Sequence, residues 1–302
     1  MTQAKYKRNN HLLIGVCILS ALTVLHVAVL SFLNIRSLAS TSQPPPISLP
    51  TPPQISSTTP PRLLSVNYIL VDVATNQILL DRGSRARIYP ASITKLATAL
   101  TALNIYPLDE EVTVRTEYKE GKVMGLKSAE RITVGDLVTG LLVHSANDAA
   151  VALADHHPQG SPGFISAMNQ LMAKYHLEAT HFVNVDGIHL PNHYSSAYDL
   201  SQLGRLAIQN PTIRNLVRTS SVTVHDLSGT IVHPLATTNE LLGKYPEIEG
   251  LKTGFTPEAG GCFVGLFNLR GHYLISVVAQ SPDRFADTLS LLRWSQQNLI
   301  WN

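Results

Sequence analysis

Three short groups of residues in this chain carry side chains whose types and spacing can do acyl chemistry. The first is Pro90-Ala91-Ser92-Ile93-Thr94-Lys95, which runs on into Leu96-Ala97-Thr98-Ala99-Leu100. Residues three apart share a helix face, so in a helix the Ser92 hydroxyl and the Lys95 amine come within hydrogen-bond reach. A serine hydroxyl is a weak nucleophile near neutral pH. A lysine can take its proton only where burial or a neighbouring cation has lowered the amine's pKa. The second group, His144-Ser145-Ala146-Asn147-Asp148, is a polar knot between apolar runs. Ser145 can pass a proton between the lysine side and a leaving nitrogen, and the Asn147 amide can hold both the lysine and a substrate carbonyl. The third is Lys252-Thr253-Gly254-Phe255-Thr256. Lys252 would supply fixed positive charge and Thr253 a hydroxyl for a carboxylate. Gly254 lets a substrate backbone come close, and the Phe255 N–H would form an oxyanion hole with the Ser92 N–H.

Each group alone has a plainer explanation: a serine at a helix start with a solvent-facing lysine, a helix break capped by Asn147 or Asp148, and an exposed turn. Together they stand in the order Ser-x-x-Lys, Ser-x-Asn, Lys-Thr-Gly, the set shared by class A β-lactamases and penicillin-binding proteins. The chain resembles the low-molecular-mass penicillin-binding proteins that are serine D-alanyl-D-alanine carboxypeptidases. The likeness continues through Gly140-Leu141-Leu142-Val143-His144-Ser145-Ala146-Asn147-Asp148-Ala149-Ala150, Thr180-His181-Phe182-Val183-Asn184-Val185-Asp186-Gly187 and His193-Tyr194-Ser195-Ser196-Ala197-Tyr198-Asp199-Leu200. It implies that Ser92 is acylated, Lys95 is the base, Ser145 and Asn147 complete the proton network, and Lys252 and Thr253 bind the terminal carboxylate side. Arg284 resembles the family's carboxylate-contacting arginine, whose planar fork can bond both oxygens. The partners implied are peptidoglycan stem peptides ending in D-Ala-D-Ala and β-lactam antibiotics, with no cofactor. The sequence departs from the pattern at Ala146, where a glycine is expected, and at Phe255, where a polar residue often stands.

Other chemistries fit less well. A class A β-lactamase needs a glutamate to activate the deacylating water, and the nearest in place, Glu178, lacks the surrounding pattern. An endopeptidase acting on cross-links would use the same groups. His156, His157, His181, His189 and His193 invite a zinc reading, but no His-Glu-x-x-His occurs. A non-catalytic wall-peptide binder would not need an intact Ser92 and Lys95.

The elements that must position these groups follow from periodicity. Short apolar runs at Val66 to Val73 and Gln77 to Asp81, and at Cys262 to Phe267 and Tyr273 to Ala279, predict antiparallel strand pairs near both ends of the folded region. Helical patterns lie between them at Ser92 to Ile105, Val134 to His144, Ala149 to His156, Pro162 to Tyr175 and Ala197 to Ile208, and Arg284 to Gln297 follows the second pair. The expected fold class is therefore α+β, a β-lactamase/DD-peptidase-like antiparallel sheet built from both ends of the domain with an inserted helical region.

The chain of 302 residues has a net charge of +2 and no basic stripe, which argues against nucleic-acid binding. Cys17 and Cys262 are not expected to pair, because Cys17 lies in an apolar run. That run, Leu12 to Leu33 within an anchor assigned to 11–34, is long enough to span a bilayer. Lys5, Lys7 and Arg8 before it, against Arg36 after it, leave a cytoplasmic tail of residues 1–10 and place the body of the protein outside. An uncleaved anchor is preferred to a signal peptide cut near Ser37-Leu38-Ala39. Residues 35–62, crowded with proline from Pro44 to Pro61, predict a semi-rigid linker, and 63–302 the catalytic domain. No β-rich domain is expected after Asn302, the anchor taking the place of the amphipathic tail seen in relatives.

Overall fold

The structure, a computed structural model, describes residues 3–38 and 50–301. Residues 1, 2, 39–49 and 302, and with them part of the expected tail and much of the expected linker, lie outside the described residues. The chain divides into two compact units, Met1–Leu49 and Pro50–Asn302. The described residues of the first form a single helix, α1 (Gln3–Leu38). Within it Gly15–Phe32 has a mean hydropathy of 2.2 and exposes its side chains, and this helix is long and apolar enough to cross a membrane.

The second unit is organised by a five-stranded antiparallel sheet. Its strands are β1 (Asn67–Asp72), β2 (Ile78–Arg82), β3 (Ile248–Thr256), β4 (Gly260–Leu269) and β5 (His272–Ser281). They lie in the order β3-β4-β5-β1-β2, so Leu274↔Asp72 through Ala279↔Asn67 joins the two ends of the domain. Side chains alternate across a strand, and both faces here are apolar. Ile69, Val71, Val264, Leu266, Ile275 and Val277 belong to one core with the inserted helices. Tyr68, Leu70, Phe263, Phe267, Leu274 and Val278 belong to a second core with Leu291, Leu292 and Trp294. The sheet is thus a middle layer, with the helical insertion on one face and the C-terminal helix on the other.

The inserted helices are α2 (Thr94–Ile105), α3 (Val134–Thr139), α4 (Asn147–Asp155), α5 (Gly160–Lys174), α6 (Ala197–Ala207) and α7 (Pro211–Leu216), and α8 (Arg284–Asn298) closes the sequence. Two expectations need correction. The run Val134 to His144 is not one α-helix: after α3 the backbone widens into a π turn over Gly140–His144, closed by Ala146 N–H donating to Gly140 O at 3.1 Å. The turn delivers Ser145 in the left-handed region, at φ 64°. The second correction concerns residues 54–62, assigned to the linker. Gln54–Ile55 pairs with Leu299–Ile300, Pro53 is buried, and Trp294 Nε1 donates to Thr59 O at 2.8 Å. Proline lacks a backbone N–H but still offers an apolar ring, so this stretch packs along the edge of the domain.

Candidate active site

The helix that follows Ser92 starts against the sheet. A 3-10 turn at Ala91–Ile93 leads into α2, with Ala91 at φ 47°. Two glycines permit this approach. A Cβ on Gly254 would come within 2.9 Å of Ser92 N, and a Cβ on Gly187, which has φ +86°, would run into the Ala91 carbonyl. The turn bearing Ser92 is therefore gripped between β3 and the Asp186-Gly187 turn, with no side chain intervening at either contact.

Lys95 is completely buried, and its Nζ donates to Ser92 Oγ at 3.0 Å and to Asp186 O at 2.6 Å. Burial lowers its pKa to about 8, against the opposing pull of Asp186 and Asp148. At pH 7 about a tenth of such amines are free to accept a proton. The rate of Ser92 acylation should accordingly rise with pH and level off above about 8, as Lys95 loses its proton. Stopped-flow acylation by a fluorescent penicillin between pH 5.5 and 9.5 reads this limb, and a rate flat across that range would remove Lys95 from the role of base.

The other two groups meet behind the serine. Lys252 Nζ donates to Ser145 Oγ at 2.9 Å and to Thr253 O at 3.1 Å. Lys252 is 1% exposed, and burial followed by the repulsion of Lys95, Lys122 and Arg284 holds its ammonium well below the ordinary lysine range. The positive charge expected of Lys252 therefore sits in a site that burial and its cationic neighbours make unfavourable, and a substrate carboxylate arriving there would favour it. The Thr253 hydroxyl hydrogen-bonds the Thr238 hydroxyl at 2.8 Å. The Phe255 side chain is 61% exposed, as suits a residue contributing its backbone. Ala146 sits at φ −65°, ψ 119°, a region open to any residue, so the missing glycine costs no backbone strain.

Asn147 is placed differently from expectation. Its Nδ2 donates to Glu120 O at 2.9 Å and its N–H to Lys122 O at 2.7 Å, and it makes no hydrogen bond to Lys95. The amide ties down a neighbouring segment instead. Arg284, at the start of α8, lies beside Gly261, the cross-strand partner of Phe255. Its guanidinium sits 4.5 Å from the Phe285 ring, and its buried Nε has no hydrogen-bond partner. The structure brings it to the same end of the β3–β4 pair without bonding it to Ser92 or Thr253.

A cleft of about 230 Å³ opens over these groups, lined by Ser92, Asn147 and Phe255 together with Gly121, Lys122 and Asp186. Lys95, Ser145, Lys252 and Thr253 lie buried around it. Because β3 is the edge strand, its outer rim can pair with an extended peptide. Asp186 and Gly187 stand in a motif already singled out, whereas Gly121 and Lys122 carried no sequence signal. Of the histidines singled out, His156 Nε2 lies 2.7 Å from Glu110, and His193 Nε2 lies 2.8 Å from the Thr94 hydroxyl. Burial lowers the His193 pKa to about 4, so its neutral ring accepts from Val183 N–H and donates to Thr94.

Residues 54–283 match the profile of the peptidase S11 family, described as D-alanyl-D-alanine carboxypeptidase. The chain belongs to that family. Among S11 relatives, D-alanyl-D-alanine carboxypeptidase DacD of Salmonella typhimurium is 35% identical over 249 residues, which cover 76% of this chain and 62% of the relative. The D-alanyl-D-alanine carboxypeptidase of Streptomyces sp. strain K15 is 32% identical over 241 residues, 73% of this chain and 83% of that protein. The crystal structure of the Streptomyces K15 DD-transpeptidase superposes with a TM-score of 0.73 at 30% identity, covering 78% of this chain and 98% of that one. The chain spans about three fifths of the length of the DacD relatives it matches. The S11 fold found here is the expected α+β, DD-peptidase-like arrangement.

Proposed function

We propose that this protein is a serine D-alanyl-D-alanine carboxypeptidase that removes the terminal D-alanine from peptidoglycan stem peptides through an acyl-enzyme on Ser92. The observation that carries the reading is the buried Lys95 amine, bonded to Ser92 Oγ at 3.0 Å and brought by burial into a range where it can act as a base. The peptide lies along β3, with its carboxylate drawn to Thr253, Lys252 and Arg284. Ser92 Oγ attacks the penultimate carbonyl as its proton passes to Lys95, and the oxyanion is held between the Ser92 and Phe255 N–H groups. Ser145, hydrogen-bonded to Lys252 Nζ, relays a proton to the departing D-alanine amine, and water then releases the shortened peptide. A β-lactam would acylate the same serine, but its leaving nitrogen stays tethered and blocks the water. Helix α1 would hold the protein in the cell membrane, with its N-terminus in the cytoplasm and the catalytic unit outside.

The test is release of D-alanine by the full chain in detergent from a peptide ending in D-Ala-D-Ala; no release by folded protein would end the proposal. The orphaned Arg284 Nε leads us to expect that Arg284→Ala raises KM for this peptide about tenfold with little change in kcat. An unchanged KM would remove Arg284 from the carboxylate site. The name of the Streptomyces K15 neighbour, a DD-transpeptidase, favours one second reading, in which the acyl group passes to an amine instead of water. Adding an amine acceptor to the same assay distinguishes the two by their products. A β-lactamase fits less well: Glu178 is exposed and lies outside the cleft lining.

A further inference from the structure

We propose that Asp148 is a positioning residue that clamps the segment 120–126 as a wall of the cleft and so sets how tightly the acyl-donor peptide binds. The inference rests on the peptidase reading of the same cleft. Asp148 is 3% exposed, and backbone N–H groups occupy its carboxylate: Oδ1 accepts from Met124 and Ala149 at 3.0 Å each, and Oδ2 from Gly125 at 2.8 Å and Leu126 at 3.0 Å. An ionised carboxylate accepts at both oxygens, whereas an amide of the same shape would turn N–H against N–H at one of them.

The neighbouring Asn147 holds the other half of the segment through Glu120 O and Lys122 O. Two consecutive residues at the start of α4 therefore fasten 120–126, and the piece between the fastenings includes Gly121 and Lys122, which line the cleft. Gly121 and Gly125 have φ of +68° and +92°, conformations that a free chain would leave readily, so the wall depends on its clamp. The far side of the segment has a separate hold. His233 Nδ1 lies 3.1 Å from Met124 O and its Nε2 2.6 Å from one Glu130 oxygen, and the other Glu130 oxygen accepts from Lys127 N–H at 2.8 Å. With that hold intact, loss of the Asp148 charge loosens the cleft wall, while the Lys95–Ser92 and Lys252–Ser145 pairs stay in place on other elements. Because the Asp148 charge also raises the Lys95 pKa, turnover is compared at pH 9, where Lys95 is mostly deprotonated with or without it.

The test compares the full chain with Asp148→Asn in detergent, measuring steady-state turnover of a D-Ala-D-Ala peptide and hydrogen exchange of the Met124, Gly125 and Leu126 amides. The expected result is a KM about tenfold higher with kcat within about threefold, together with lost protection at those amides. A fall in kcat at unchanged KM, or retained protection, would overturn the proposal, since a residue serving the fold alone has no reason to move KM selectively. If Asp148→Asn does not fold, Gly121→Ala moves the wall from its other end, because its Cβ would come within 2.5 Å of Asn147 Nδ2. KM should then rise about tenfold while the Met124, Gly125 and Leu126 amides, still bonded to Asp148, keep their protection, and an unchanged KM would overturn the proposal. If the unmutated chain released no D-alanine, the peptidase reading would fall. The half-saturating concentration for acylation by benzylpenicillin and the amide exchange would then decide the clamp separately.

Discussion

Replacing Ser92 by alanine is expected to abolish covalent labelling by penicillin and to lower D-alanine release by about 10⁴-fold or more. The size of the effect follows from the site's construction. Ser92 Oγ is the hydroxyl bonded to the buried Lys95 amine, and no other hydroxyl takes that position. Thr256, the other hydroxyl lining the cleft, has no lysine beside it, and its oxygen accepts from Ala259 N–H at 3.0 Å. The substitution removes one half-buried oxygen and leaves Lys95 bonded to Asp186 O, so the melting temperature should shift by a few degrees at most. Unaltered turnover in a folded Ser92→Ala protein would mean that the nucleophile lies elsewhere.

The second large effect is expected at Lys95. Methionine has nearly the same length, so Lys95→Met keeps α2 packed while deleting the base. It should slow Ser92 acylation by about 10³-fold, within the range usual for a general base. The residual rate should also lose the rise toward pH 8 expected of the parent. The pH profile makes the test specific, because a merely distorted site would slow the reaction without flattening it. If Lys95→Met kept the same pH-dependent limb, another group would be the base, and Lys252, buried and bonded to Ser145, would be the next to replace.

How much of this was legible in the sequence depended on whether the information was local. Ser92 and Lys95 stand three apart, and a helix alone brings them together. The two hairpins that build the sheet were readable because their apolar runs and turns are contiguous. Strand β3 was harder: Glu249, Gly250, Lys252 and Gly254 break its alternation, yet it is buried from Ile248 to Gly254. Nothing local says that a strand with so many polar and glycine positions is covered on both faces, or that Lys252 is buried and bonded to Ser145. Asn147 and Asp148 looked like helix caps because the sequence does not show that the 120–126 segment returns to meet them. The proline-rich stretch up to Pro61 has the composition of a spacer, and its pairing with Leu299–Ile300 joins residues almost the whole domain apart. In each case the missing fact was a long-range contact.

The central claim, that Ser92 is the nucleophile of an acyl-enzyme, is tested most directly by peptide mapping after reaction with benzylpenicillin. The full chain is labelled in detergent, digested, and the modified residue located by tandem mass spectrometry. The account predicts a single penicilloyl adduct on Ser92, formed faster at pH 8 than at pH 6. An adduct on any other residue, or none on folded protein, would contradict it.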